Sequence, residues 1–207
     1  MEDKMFHTAR IMRISLLFFA FCVTQGIFIT NANSDPGSNF AQGKSALEKG
    51  DYKNGVQILA KAVEESASDT EKKEYLTKTL EVIQTVTTNL FGKDEQSADY
   101  NGILEIVNSA FGYGCYKNSE LLYNQRGSVF RRQGDIDKAI VDYNNALKID
   151  SKYSPSRFNL ALCYFKQKEY KKAYDELGKI PESDSMGPTA KEKKDFLLKN
   201  FAQYIVK

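Results

Sequence analysis

Between Leu121 and Ile180 the chain writes nearly the same helical hairpin twice, and this limits the folds open to it more than any other feature. LYNQRGSVFRRQGDIDKAIVDYNNALKIDSKYS is followed by RFNLALCYFKQKEYKKAYDELGKIPES, with equivalent positions at one constant offset. Gly127 falls opposite Ala161, Phe130 opposite Tyr164, Ile136 opposite Tyr170, Ala139 opposite Ala173 and Tyr143 opposite Leu177. Small residues at fixed helical positions let two helices approach closely, and larger side chains then fill the flanks. Gly127 and Ala161 are expected midway along a first helix, where a second helix crosses. Ala139 and Ala173 are expected early in that second helix, facing back. One such hairpin leaves an apolar face uncovered, so neighbours must stack on both sides of it.

A helix pair repeating at about 34 residues, with small, aromatic and alanine positions in this order, resembles the tetratricopeptide repeat (TPR). The resemblance implies an all-α fold: a right-handed α-solenoid of TPR-like helical hairpins with a C-terminal capping helix. It also implies that the chain offers a protein-binding surface. Upstream, FAQGKSALEKGDYKNGVQILAKAVEES fits a further repeat over about 39–67. There Gly43 matches Gly127, Gly50-Asp51 matches Gly134-Asp135, Leu59 matches Tyr143 and Ala62 matches Ala146, while Gly55 stands where the repeat prefers alanine. The two later repeats span about 120–153 and 154–182.

Gly43 and Gly127 are separated by two full periods and roughly half of a third, so the spacing breaks between them. Leu76, Leu80, Ile83 and Leu90 recur at helical spacing over 70–91, with Asp69 as N-cap and Gly92 as stop signal. Ile103, Leu104, Val107 and Phe111 predict another helix over 98–111. These two are expected to stack as a diverged pair over 69–112, and Ser119 is expected to cap the helix that follows. Beyond Pro181, a helix over about 188–206 carries Phe196, Leu197, Phe201, Tyr204 and Ile205 on one side. It is expected to cover the last apolar stripe of the array.

Residues 1–32 read as a secretory signal peptide. Lys4, Arg10 and Arg13 precede the apolar run ISLLFFAFCV, and cleavage is expected after Ala32. Counting Ile27–Thr30 lengthens the run to about the lower limit for a membrane span, so an uncleaved anchor over 14–30 is the alternative. Either reading exports the remainder, to a periplasm, a secretory lumen or the extracellular space. Asp35-Pro36-Gly37-Ser38 reads as a turn in a linker over 33–38.

Composition is that of an ordinary globular chain, and a net charge of +2 gives no bulk attraction for nucleic acid. The single histidine, His7, lies in the segment expected to be removed. Without it, Ser-His-Asp and Cys-His arrangements and histidine zinc sites are unavailable. The chain is therefore expected to be no enzyme and to need neither cofactor nor metal. Gly112-Tyr113-Gly114 lacks the third glycine and the preceding strand of a dinucleotide fingerprint. Asp94-Glu95 reads as a solvated loop pair. Cys163 takes a small inward repeat position and Cys115 a loop, so no bridge between them is expected.

By the resemblance, a partner segment lies in a concave groove lined by the first helix of each pair. The matching positions are Phe40, Lys44 and Leu47, then Asn124, Ser128, Arg131 and Arg132, then Phe158, Leu162, Phe165 and Lys166. The middle set is polar and basic and the last is apolar and aromatic, which suits a peptide with an acidic group beside a hydrophobic anchor. One TPR subset clamps the C-terminal carboxylate of heat-shock chaperones. The positions corresponding to that clamp hold Phe40, Lys44, Gln125, Pro155 and Asn159, so chaperone-tail binding is not expected. The positions expected to hold the repeats together are Gly43, Gly127, Ala139, Ala146, Ala161 and Ala173. Enlarging one of them, by Ala139→Leu, is expected to cost about 1–3 kcal/mol in denaturant unfolding. Unchanged melting would contradict the helix crossing.

Overall fold

The computed structural model describes residues 35–92 and 97–206. The signal or anchor expected over residues 1–32, His7, and the pair Asp94-Glu95 lie outside them. The regular structure of the described residues is helical throughout: α1 (Pro36–Glu48), α2 (Tyr52–Glu64), α3 (Asp69–Leu90), α4 (Tyr100–Phe111), a 3-10 turn (Gly114–Tyr116), α5 (Glu120–Arg132), α6 (Ile136–Ile149), α7 (Ser154–Lys166), α8 (Tyr170–Gly178) and α9 (Gly187–Ile205).

Helices α1 and α2, α5 and α6, and α7 and α8 pair as hairpins, and each unit packs on its neighbours along the chain. Between the first two hairpins, α3 touches α1, α2, α4 and α5, while α4 touches α2, α3 and α5. The long α3 and its partner therefore stand where a repeat hairpin would stand. The result is an α-solenoid in which α9 closes the array against α8.

Close packing at the small residues explains the pairing. A Cβ added to Gly127 would lie 2.9 Å from the Tyr143 ring, and one on Gly43 would lie 2.8 Å from Leu59 Cγ. Ala139, Ala146, Ala161 and Ala173 are all buried. Gly55, expected as a departure from the alanine of the repeat, is required here. Leu47 packs into it so tightly that an alanine Cβ would come within 2.8 Å of the leucine side chain. Leu47 is consequently core, not a groove residue as its repeat position implied.

Local signals account for the helix ends. The turn expected at Asp35–Ser38 is already the first turn of α1, because Pro36 at the first helical position gives up an N–H that would have no partner there anyway. Ser68, rather than Asp69, caps α3: its hydroxyl accepts from the Glu71 amide at 3.2 Å, while the Glu71 carboxylate accepts from the Ala67 amide at 2.7 Å. Ser119 caps α5 through the Leu122 amide. The apolar face of α4 includes buried Ile103 and Val107, with Leu104 and Phe111 half-buried. Beyond it, Tyr116 of the 3-10 turn is fully buried against α2 and α4.

Each hairpin turns by the same hydrogen-bond pattern. The amides of Asp51, Asp135 and Glu169 donate back to the carbonyls of Ala46, Phe130 and Tyr164, at 3.0, 2.8 and 2.8 Å. This closure needs a left-handed residue just before the donor. Gly50 (φ 86°) and Gly134 (φ 88°) supply it, but in the last hairpin the position is Lys168 (φ 63°). A Cβ clashes with its own backbone in that conformation. Replacing it, Lys168→Gly, is expected to stabilise the protein by about 1 kcal/mol, read as a higher denaturant midpoint; a lower midpoint would contradict the strain.

Candidate protein-binding surface

The residues implied as groove-lining do different things in the structure. Asn124 is buried in α5, and its side-chain carbonyl accepts from the Ser156 hydroxyl at 3.2 Å and from Asn159 Nδ2 at 3.1 Å, both on α7. It ties two repeats together and offers little to a ligand. Arg132 is exposed, and its guanidinium lies 4.8 Å from the centre of the Phe91 ring at the end of α3. Phe158 packs into the C-terminal core beside Ala161, Ala173 and Leu177. Phe40, half-buried, meets Tyr75 of α3 with ring centres 6.1 Å apart, and with Lys44 it lines a shallow groove against α3.

Ser128, Arg131, Leu162, Phe165 and Lys166 remain. Ser128 accepts a hydrogen bond from the Tyr143 hydroxyl at 3.3 Å. Burial pushes that phenol up to about 12, against the opposing effects of Ser128 and the Arg131 charge. Burial likewise holds the Cys163 thiol at about 11, with Arg131 and Lys166 pulling the other way. Arg131 thus stands near both Tyr143 and Cys163, at the junction of α5, α6 and α7. Cys163 and Cys115 are both free thiols. Cys163 is a fully buried core residue, and burial raises Cys115 to about 11 as well. Neither offers a thiolate at neutral pH.

Leu162 and Phe165 come together at an apolar cavity of about 280 Å³. Ala161, Ala173 and Leu177 form the inner wall, and Lys193, Phe196 and Leu197 of α9 close the far side. The helix expected to act as a plain cover therefore supplies part of a binding-sized recess. Its apolar side is also not as the sequence implied. Leu197 and Ile205 are buried, whereas Phe196 and Tyr204 are 49% and 55% exposed. A break at Phe201 (φ −136°, ψ 22°) resets the phase of the last turn, which carries Tyr204 and Ile205, while Phe196 lies before it and one position off the buried Leu197. The Phe201 ring stacks on Tyr170, centres 4.0 Å apart, while Phe165 meets Phe196 edge-on at 6.3 Å. By its spacing Phe196 was expected on the covered apolar side and Lys193 away from it; their meeting at the recess depends on how α9 docks on α7 and α8.

Sequence reasoning also passed over Arg126. Its Nε and Nη2 each donate at 2.8 Å to the two oxygens of Asp142, a buried carboxylate, while the guanidinium lies 4.8 Å from the Phe111 ring centre. In the next hairpin Arg157 donates to Glu176 at 2.7 Å. Asp142 and Glu176 stand one repeat apart at equivalent positions, so the recurring carboxylate was the available signal.

Among the described residues no group of three or more His, Cys, Asp and Glu side chains could hold a metal ion, and no helix is long and apolar enough to cross a membrane.

Comparison with known proteins bears on the repeats directly. Residues 127–168 match a family model described as TPR repeat, and residues 156–184 match one described as tetratricopeptide repeat. Tetratricopeptide repeat protein 12 of Mus musculus is 35% identical over 71 residues, 34% of this chain and 10% of that protein. The TPR repeat-containing protein MJ1428 of Methanocaldococcus jannaschii is 28% identical over 85 residues, 41% of this chain and 14% of that one. The chain thus spans a seventh or less of these relatives' length. Among solved structures, the P58(IPK) TPR domain is 16% identical with a TM-score of 0.43, covering 89% of this chain and 53% of its own. TTC0263, a thermophilic TPR protein of Thermus thermophilus, is also 16% identical, with a TM-score of 0.39, covering 79% and 98%. The fold of tetratricopeptide repeats suggests a protein-interaction scaffold, and proteins of this kind are typically non-catalytic. Both family matches fall on the hairpins that carry the repeat period, so residues 127–184 are similar to tetratricopeptide repeats.

Proposed function

We propose that the chain is an exported, non-catalytic scaffold that holds one segment of a partner protein against the surface formed by α5 and α7. The observation that carries this reading is Phe165. Its ring is 37% exposed beside Leu162, one repeat along from Arg131. An apolar ring at the mouth of an apolar recess, one repeat position along from a guanidinium, fits a segment that offers both a hydrophobic side chain and a carboxylate. No cofactor, metal or nucleic acid enters this function, and the chaperone C-terminal carboxylate is not the partner.

The test is affinity capture from the source cell with the wild-type chain and with a variant carrying Arg131→Glu and Phe165→Ala. The variant is expected to keep its helical circular dichroism and melting while losing the captured protein. Retention of the same protein by the variant would retire the assignment.

The apolar run Ile14–Val23, continued by Ile27–Thr30, favours a second reading in which the chain is a membrane-tethered structural subunit. Sequencing the N-terminus of the protein purified from its source separates the two. Asn33 as the first residue is the expected result, and a retained Met1 would favour the tether.

A further inference from the structure

We propose that residues 181–206 form a lid, clasped shut on the N-terminus of α7 by the Asp184 carboxylate. The lid is the connection after α8 together with α9, and its motion does not depend on what the scaffold holds.

The connection is a rigid knot. The Asp184 amide donates to the Pro181 carbonyl at 3.0 Å and the Gly187 amide to the Asp184 carbonyl at 2.9 Å, so one tight turn runs into the next. A Cβ added to Gly187 would lie 2.5 Å from the Pro181 and Glu182 carbonyl oxygens. Backbone oxygens have no rotamer to escape into, so the knot needs glycine here. The Ala190 amide then donates to the Met186 carbonyl at 2.9 Å, already within the first turn of α9. Knot and helix are therefore one piece.

One carboxylate joins that piece to α7. Asp184 accepts from the Met186 amide at 2.8 Å through one oxygen and from the Ser154 hydroxyl at 2.9 Å through the other. Ser154 opens α7 and is buried, so its hydroxyl has little water to turn to if Asp184 leaves. The Met186 amide, and after it the Ser154 hydroxyl, hold the Asp184 carboxyl below the usual carboxylate range, which keeps it an acceptor at neutral pH. Among the described residues, the other side-chain hydrogen bonds and ion pairs of 181–206 stay inside that stretch, such as Lys191 with Glu182 and Asn200 with the Phe196 carbonyl. The rest of the grip is apolar burial of Ala190, Leu197 and Ile205, with Lys194 over the Tyr174 ring and Phe201 stacked on Tyr170. Both rings belong to α8, which is only nine residues long. Such a small terminal contact opens locally at low cost. The clasp is what separates a closed α9 from one swung off α8, with the Ala161, Leu162 and Leu177 wall of the recess uncovered.

The experiment is hydrogen exchange, read by mass spectrometry on the intact chain at neutral pH. Ser154→Ala deletes only the donor of the clasp. Asp184→Asn keeps the shape but leaves one acceptor oxygen for two donors. Each variant is expected to exchange about tenfold faster over 188–206, the effect of losing one hydrogen bond to a charged acceptor. Residues 120–149 are expected to be unchanged, and the double variant no faster than Asp184→Asn alone. Equal exchange over 188–206 in the wild type and in Ser154→Ala would overturn the clasp. So would acceleration by Asp184→Asn alone, which would confine the carboxylate to a role inside the knot. Faster exchange spread evenly over the chain, or loss of helical circular dichroism in both variants, would overturn the lid, because the stretch would then open only with everything else.

Discussion

Paired helices in this protein approach each other where a side chain is nearly absent, and the rest of the stack is arranged around that contact. Leu47 fills the space above Gly55 while Leu59 fills the space above Gly43, a reciprocal exchange across α1 and α2. In the next full hairpin Tyr143 takes the corresponding place over Gly127. Interiors are packed to crystal-like density, so a single added carbon at these points has nowhere to go. The same closeness brings the Tyr143 hydroxyl within reach of Ser128, and so links the core of the hairpin to the face carrying Arg131.

Polar ties then fix one hairpin on the next. Asn124 bridges α5 to α7 through two donors, and Arg126 reaches Asp142 on α6 while resting against Phe111 of α4. Two well-aligned hydrogen bonds from one guanidinium to a buried carboxylate satisfy a group that would otherwise be costly to remove from water. These contacts add orientation to packing that is itself non-directional. They set how each unit sits on its neighbour, and therefore where Arg131 and Phe165 stand relative to each other.

The fold could be read from the chain because its cause is local and repeated. Gly127, Ala139, Ala161 and Ala173 mark crossings at a constant interval, and no knowledge of distant partners is needed to see that. Site residues were harder to read. Asn124 and Arg132 occupy the repeat positions expected of a groove, but their partners, Ser156 and Asn159 for one and Phe91 for the other, lie about a repeat away along the chain. No periodicity within a single helix reports such pairs. In α9 the difficulty was geometric: Phe196 sits one position off the buried Leu197 and stays exposed, and the non-helical backbone at Phe201 resets the phase of the turn that carries exposed Tyr204. The turn at Lys168 shows the opposite case. The hydrogen-bond pattern of the hairpin overrides a residue that has little preference for that conformation.

Stacking in series has a dynamic corollary at the C-terminal end. Helix α9 packs chiefly on the short α8, and no further unit lies beyond it among the described residues. Local opening in such an array begins at the unit with the fewest neighbours. Detachment of α9 would remove one wall of the recess without disturbing α1 to α6. Whatever occupies that recess would therefore also act as a latch, slowing amide exchange along α9 in proportion to how tightly it is held.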